Sequence, residues 1–194
     1  MDENDRKWIE KDGVIFFKKI GLQEGHFVLD FGCGEGYYAI PAAEVVGEKG
    51  RVYALDKDMK KLLRLKELMR TKSINNVEIL SENSVIPLKD ASLDVVFCYD
   101  VIHYLNKRKR SAVYDEIHRV LKNEGFFSVY PKHYKQDNPL DELADMELED
   151  VIKEIEESSF QLKRKFQENI LHSHNYNKGE IVHFTLLSKS RESL

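Results

Sequence analysis

The stretch Val28-Leu29-Asp30-Phe31-Gly32-Cys33-Gly34-Glu35-Gly36-Tyr37-Tyr38-Ala39-Ile40 constrains this chain more than any other. An apolar strand there runs straight into three alternate glycines and then into a helix. Without a Cβ, such a turn can take positive φ and let a ligand lie against the backbone, while the start of the helix offers free N–H groups. The stretch predicts strand, ligand loop and helix at the head of an α/β fold.

Two ligand classes use loops of this kind, and Asp30 helps to separate them. Dinucleotide folds carry G-x-G-x-x-G and aim a helix start at a pyrophosphate, which a carboxylate at Asp30 would repel. This loop reads G-x-G-x-G. A negative local field suits a ligand with an ammonium group near a sulfonium, and S-adenosylmethionine (SAM) answers that description. A second acid, Asp56, closes the apolar run Arg51 to Leu55, at the spacing of about twenty residues expected of a ribose-binding carboxylate. A nicotinamide-dependent oxidoreductase shares strand, glycine loop and distal acid, and a protein that binds SAM without catalysis shares all three. Both stay open as alternatives.

With these residues in hand, the sequence resembles the class I SAM-dependent methyltransferases, in particular the small type 11 group that includes quinone-biosynthesis C-methyltransferases. The likeness runs from about Gly21 to about Tyr130. Besides the two strand ends it rests on Pro87-Leu-Lys-Asp-Ala-Ser-Leu-Asp-Val-Val96 and on Arg119-Val-Leu-Lys-Asn-Glu-Gly125. It implies a doubly wound, mostly parallel seven-stranded sheet whose last strand inserts antiparallel between the fifth and sixth. It also implies SAM as cofactor and S-adenosylhomocysteine (SAH) as product. By position Asp30, Gly32, Cys33, Gly34, Gly36 and Tyr37 would surround the methionyl end, with Cys98 and Tyr99 beside it. Asp56 would hold both ribose hydroxyls, with Lys57 and Met59 flanking the adenine. Glu82 stands where the family usually has the shorter acid of Gly-Asp-Ala, so the adenine contact falls to Glu82 or passes to Asn83.

At 194 residues the chain suits a single domain over residues 1–194. Apolar residues are dense from Asp5 to Ile20, which predicts a helical segment within 1–20, broken at Asp12-Gly13, that packs on the domain and, by the resemblance, covers the site. Strands are expected at 27–31, 51–56, 76–81, 93–98 and 125–130, and helices at 37–47, 58–72 and 107–122. The acidic segment Asp141 to Glu157 marks one helical face with Leu143, Met146, Val151, Ile152 and Ile155. Extended stretches from Phe160 to Leu171 and from Ile181 to Ser188 would pair around the polar turn Asn175-Tyr176-Asn177-Lys178-Gly179.

No apolar run reaches the roughly twenty residues that span a bilayer, and the charged start is no secretion signal, so a cytoplasmic protein without membrane contact is expected. The net charge of −4 exerts no global pull on nucleic acid. Two cysteines are too few for a disulfide framework or a thiolate zinc site. Oligomeric state is not readable.

Ligands of open α/β sheets sit outside the carboxyl ends of the strands, so the residues after each strand are the shortlist. After the fourth strand His103 and Tyr104 are the catalytic candidates: a neutral imidazole there could take a proton. Methyl transfer to an activated sulfonium needs alignment more than a base, so a packing histidine is equally consistent. Tyr130-Pro131-Lys132-His133-Tyr134 follows the fifth strand as a place for acceptor contacts, and Trp8 and Tyr130 join His103 and Tyr104 as the expected roof. Cys33 and Cys98 end strands that neighbour each other in the family's sheet order, so they can approach as a thiol pair or simply line a tight pocket. Lys107 to Arg110 reads as a solvated basic face. His172-x-His174 has strand spacing but no third ligand in view, and no metal site is expected. A small-molecule acceptor is favoured, with nucleic acid and protein open.

Overall fold

Residues 1–81 and 85–187 are described by the computed structural model. Glu82, Asn83 and Ser188 therefore lie outside the described residues. Seven strands form one sheet: β1 (Phe27–Phe31), β2 (Arg51–Asp56), β3 (Val77–Ser81), β4 (Leu93–Tyr99), β5 (Leu121–Tyr130), β6 (Phe160–His172) and β7 (Asn175–Leu186). Their order is β3-β2-β1-β4-β5-β7-β6. The first five are parallel, and β7 runs antiparallel between β5 and β6. This is the doubly wound, mostly parallel sheet expected from the sequence. The order reverses between β1 and β4, which opens the cleft at their carboxyl ends.

Because successive strand residues face opposite sides, each central strand feeds two cores. After the short α1 (Glu3–Lys7), Trp8 and Ile9 join α2 (Gly13–Ile20), α3 (Ala39–Val46) and α4 (Met59–Thr71) in covering Val28, Val52, Phe97 and Tyr99. Leu29, Leu55, Val96 and Cys98 pack under α5 (Lys107–Val120) and α6 (Leu148–Glu156). The two cysteines fall on opposite sides of the sheet: Cys33, in the loop after β1, belongs to the first core and Cys98, on β4, to the second, and both are free, so of the two readings open for them the thiol pair is not formed.

Four boundaries differ from the expectations. The N-terminal segment does not break at Asp12-Gly13; a π turn at Trp8–Asp12 carries it into α2 with Gly13 in right-handed geometry. There the glycine is needed for closeness, since a Cβ would meet Trp8 O at 2.8 Å and Pro41 Cβ at 2.9 Å. The acidic segment yields a 3-10 turn at Asp141–Leu143 and a separate α6, because Glu147 is extended and caps a new helix start at Leu148. Val120 hands over directly to Leu121, so β5 begins four residues before the expected 125. Finally, the turn of the last hairpin is Ser173-His174, both at positive φ as in a type I′ turn, and Asn175 to Gly179 are strand.

The hairpin tip is tied back to the N-terminal helices. His174 Nδ1 lies 2.9 Å from buried Asp5, Asn4 Nδ2 donates to His174 O at 2.9 Å, and the Tyr176 hydroxyl donates to Asp12 at 2.8 Å. α5 and α6 are pinned by Arg110, whose Nε and Nη2 donate to Glu154 at 2.6 and 2.7 Å. Arg110 is therefore no part of a solvated basic face: it is 3 % exposed, and only its neighbours in the run look outward.

Candidate functional site

The glycine loop is held by the strand beside it. Gly32 and Cys33 donate their N–H groups to Leu55 O at 2.8 and 3.0 Å, which places the loop over the tip of β2. Gly32 and Gly36 take φ of 80° and 88°, and at both a Cβ would collide, with Val101 Cγ2 in one case and Leu65 Cδ1 in the other. Glycine is thus required here twice over, by φ and by closeness.

Asp56 joins the loop to the next helix. Its carboxylate accepts from Gly34 N–H at 2.8 Å through Oδ2 and from Asp58 N–H at 2.8 Å through Oδ1. Asp58 in turn caps α4, accepting from Lys60 N–H at 2.9 Å. Each Asp56 oxygen keeps a lone pair, and the residue lines a cleft of about 530 Å³ together with Gly32, Lys57, Asp100 and Tyr104. Phe31, Leu55, Ile86 and Val113 give that cleft an apolar floor. Size and character suit a nucleoside-sized molecule.

Asp30 lies elsewhere. It is 1 % exposed beneath the loop, outside the lining of the cleft, and its Oδ2 has no hydrogen-bond partner. Burial pushes its carboxyl up to about 7, the Asp56 charge adds to this, and the Ala39 N–H at the start of α3 opposes it. Close to neutral pH this acid hovers between charge states, and a cation brought near the loop would fix it as the carboxylate.

Of the residues expected at the cofactor, Gly32, Asp56 and Lys57 line the cleft, and Gly34 reaches it through Asp56. Cys33 in the loop and Cys98 and Tyr99 on β4 are all buried, and burial pushes both thiols far up, so neither is a thiolate. Met59 is exposed on the first turn of α4, away from the cleft. Tyr37 stands edge-on to His174, and its carbonyl accepts from Trp8 Nε1 at 2.9 Å. That bond satisfies a fully buried indole, so Trp8 belongs to the core and not to a roof; Tyr130 is equally buried.

On the far side of the cleft Tyr104 is exposed and lines it, whereas His103 is 0 % exposed with both ring nitrogens unpartnered. Burial lowers the His103 imidazole to about 4, so it is neutral at physiological pH and a weak base. Near it Asp100, which sequence reasoning passed over, meets two histidines that it had noted separately, His133 after β5 and His172 in the His172-x-His174 pair. Asp100, directly after β4, has His172 Nε2 at 3.0 Å and His133 Nε2 at 3.6 Å from its carboxylate. The signal was positional: each of the three ends a strand or follows one closely, on β4, β5 and β6.

Residues 28–125 match the family described as "Methyltransferase domain". Among curated relatives, the chain is 31 % identical over 120 residues to a demethylmenaquinone methyltransferase of Geobacillus kaustophilus, covering 61 % of this chain and 49 % of that protein. It is 32 % identical over 105 residues to an arsenite methyltransferase of Halobacterium salinarum, covering 54 % of this chain and 26 % of the relative. The chain thus spans half or less of these relatives' length. Among solved structures, a SAM-dependent methyltransferase from Aquifex aeolicus superposes with a TM-score of 0.75 at 25 % identity, covering 93 % of this chain and 92 % of that one.

Proposed function

This chain belongs to the methyltransferase-domain family, and from that premise we propose that it transfers the methyl group of SAM to a small-molecule acceptor. The observation that carries the reading is Asp56: a carboxylate at the tip of β2, oriented by two backbone N–H groups and lining the cleft beside the glycine loop. A ribose diol is the complement of such a group, since two vicinal hydroxyls can donate to its two oxygens. Asp30, buried and unpartnered behind the loop, supplies the field that favours a cationic methionyl end.

The donor half is then Gly32, Gly34 and Asp56, with Lys57 beside the adenine. Tyr104 stands on the opposite wall, where an acceptor would approach the sulfonium. Methyl transfer is an in-line displacement, and what the protein supplies is alignment and exclusion of water. His103 serves this wall as a neutral packing group, which favours a mechanism without a strong base at that residue. Residues 1–194 act as one domain, with segment 1–20 holding the loop from behind through Trp8. No helix among the described residues is long and apolar enough to cross a membrane, in keeping with an enzyme that works in the cytoplasm.

Calorimetric titration with SAH and with NAD tests the reading. Saturable SAH binding with no response to NAD is expected; the reverse result overturns it. Methyl transfer itself is read by mass spectrometry after incubation of labelled SAM with an extract of small molecules, and intact SAH affinity without any labelled product would reduce the protein to a binder.

A further inference from the structure

Three side chains from separate strand ends converge beside the cleft: Asp100 after β4, His133 after β5 and His172 at the end of β6. One donor atom from each lies within 4.8 Å of the other two. The imidazoles approach the two oxygens of one carboxylate, His172 Nε2 at 3.0 Å from Asp100 Oδ2 and His133 Nε2 at 3.6 Å from Asp100 Oδ1, spacings close to what a shared ion demands. Donors bound at about 2.1 Å and separated by tetrahedral or octahedral angles stand about 3.0 to 3.4 Å apart. We propose that Asp100, His133 and His172 form a binding site for a first-row divalent transition metal such as Zn²⁺.

Two residues there carry buried polar atoms without partners. Asp100 Oδ1 is buried without a hydrogen-bond partner. His103 is fully buried with both ring nitrogens unpartnered, its Nδ1 3.8 Å from that same oxygen and its ring 4.5 Å from that of His133. Buried polar atoms left alone are costly, so a group with two such atoms meeting at one point calls for a partner. A cation held between the three donors gives Asp100 Oδ1 that partner. Two imidazoles and one carboxylate select borderline divalent ions over Mg²⁺ or Ca²⁺, which take mostly oxygen, and three protein ligands leave coordination positions open. Since Asp100 also lines the cleft, the ion would stand in the cleft wall, within reach of a donor atom on a bound molecule.

The site does not depend on the methyl-transfer reading, and its test is separate. The full chain, free of any affinity tag and stripped with chelator, is titrated with Zn²⁺ by calorimetry and with Co²⁺ by visible absorption, under excess Mg²⁺. One equivalent of Zn²⁺ is expected to bind and to raise the melting temperature. Co²⁺ is expected to develop the intense visible bands of a low-coordinate, nitrogen-ligated ion. His133→Ala and His172→Ala should each weaken Zn²⁺ by about 100-fold. His174→Ala, two residues beyond His172 but bonded to Asp5, should leave the affinity unchanged. Circular dichroism establishes that each variant is folded. Should a variant fail to fold, the wild-type Co²⁺ spectrum decides alone. Wild-type protein that binds no Zn²⁺, a Co²⁺ spectrum like that of the aqueous ion, or folded His133 and His172 variants with wild-type affinity would each overturn the proposal.

Discussion

Replacing Asp30 by asparagine should stabilise the free protein at neutral pH and leave it unchanged in acid. The folded-state pKa, pushed from 3.8 to about 7, exceeds the unfolded value, so the folded protein holds a proton that the unfolded chain releases. Above about pH 4 the wild type therefore loses stability at about 1.4 kcal/mol per pH unit until about pH 7, where the penalty levels off. Across that interval the penalty builds to about 4 kcal/mol, fully present above about pH 7 and absent below about pH 4. Asparagine has nearly the shape of the protonated acid, keeps an acceptor for Ala39 N–H and cannot ionise. Relative to wild type its gain should be near zero at about pH 4 and approach 4 kcal/mol at about pH 8. Urea denaturation of both proteins at these two pH values reads the difference directly, because the other titrating groups are common to both. An Asp30→Asn variant no more stable than wild type at the higher pH, or a gain equal at both, would refute the argument from burial. On the methyltransferase reading the same substitution should weaken SAH binding, since the stability recovered is the cost of keeping a negative field at the loop.

Asp56→Ala removes two charge-assisted hydrogen bonds to a diol, worth about 3 kcal/mol together, so calorimetry should show SAH affinity falling by roughly 100-fold; unchanged affinity would take the ribose contact away from Asp56. Gly36→Ala places a side chain at φ 88° against Leu65 and should cost about 1 to 3 kcal/mol, read as a lower urea midpoint. Arg110→Ala leaves Glu154 buried without its partner and should destabilise by about 3 to 5 kcal/mol, and adding Glu154→Leu should recover much of that loss; equal stability of the single variant and wild type would show the pair to be dispensable.

Much of the glycine-loop side of the cleft was legible because its constraints are local. Alternate glycines after an apolar strand specify a tight loop through φ, and the acid closing the next strand follows from the spacing of one strand-helix-strand unit, so Gly32, Gly34 and Asp56 could be named in advance. The opposite wall was less legible. His103 was picked for its chemistry, yet the structure buries it. Asp100, two residues beyond Cys98 in a segment already under scrutiny, was not picked, because a single acid after a strand carries no sign of what it will meet. The last hairpin was misread because its polar stretch Asn175 to Gly179 looked like a turn, whereas Ser173 and His174 take the left-handed conformations that close it.

Sequence alone determined the fold class, the glycine loop and the acid beyond it, since periodicity and glycine spacing act over a few neighbouring residues. Only the tertiary structure decided which side chains meet across the sheet. The order β4-β5-β7-β6 brings Asp100, His133 and His172 to one corner, and burial at the end of β1, with the Ala39 N–H of α3 beside it, closes Asp30 off from water. Those outcomes depend on strand order and burial, which arise from the whole chain's competition for a core and are written in no single stretch of it.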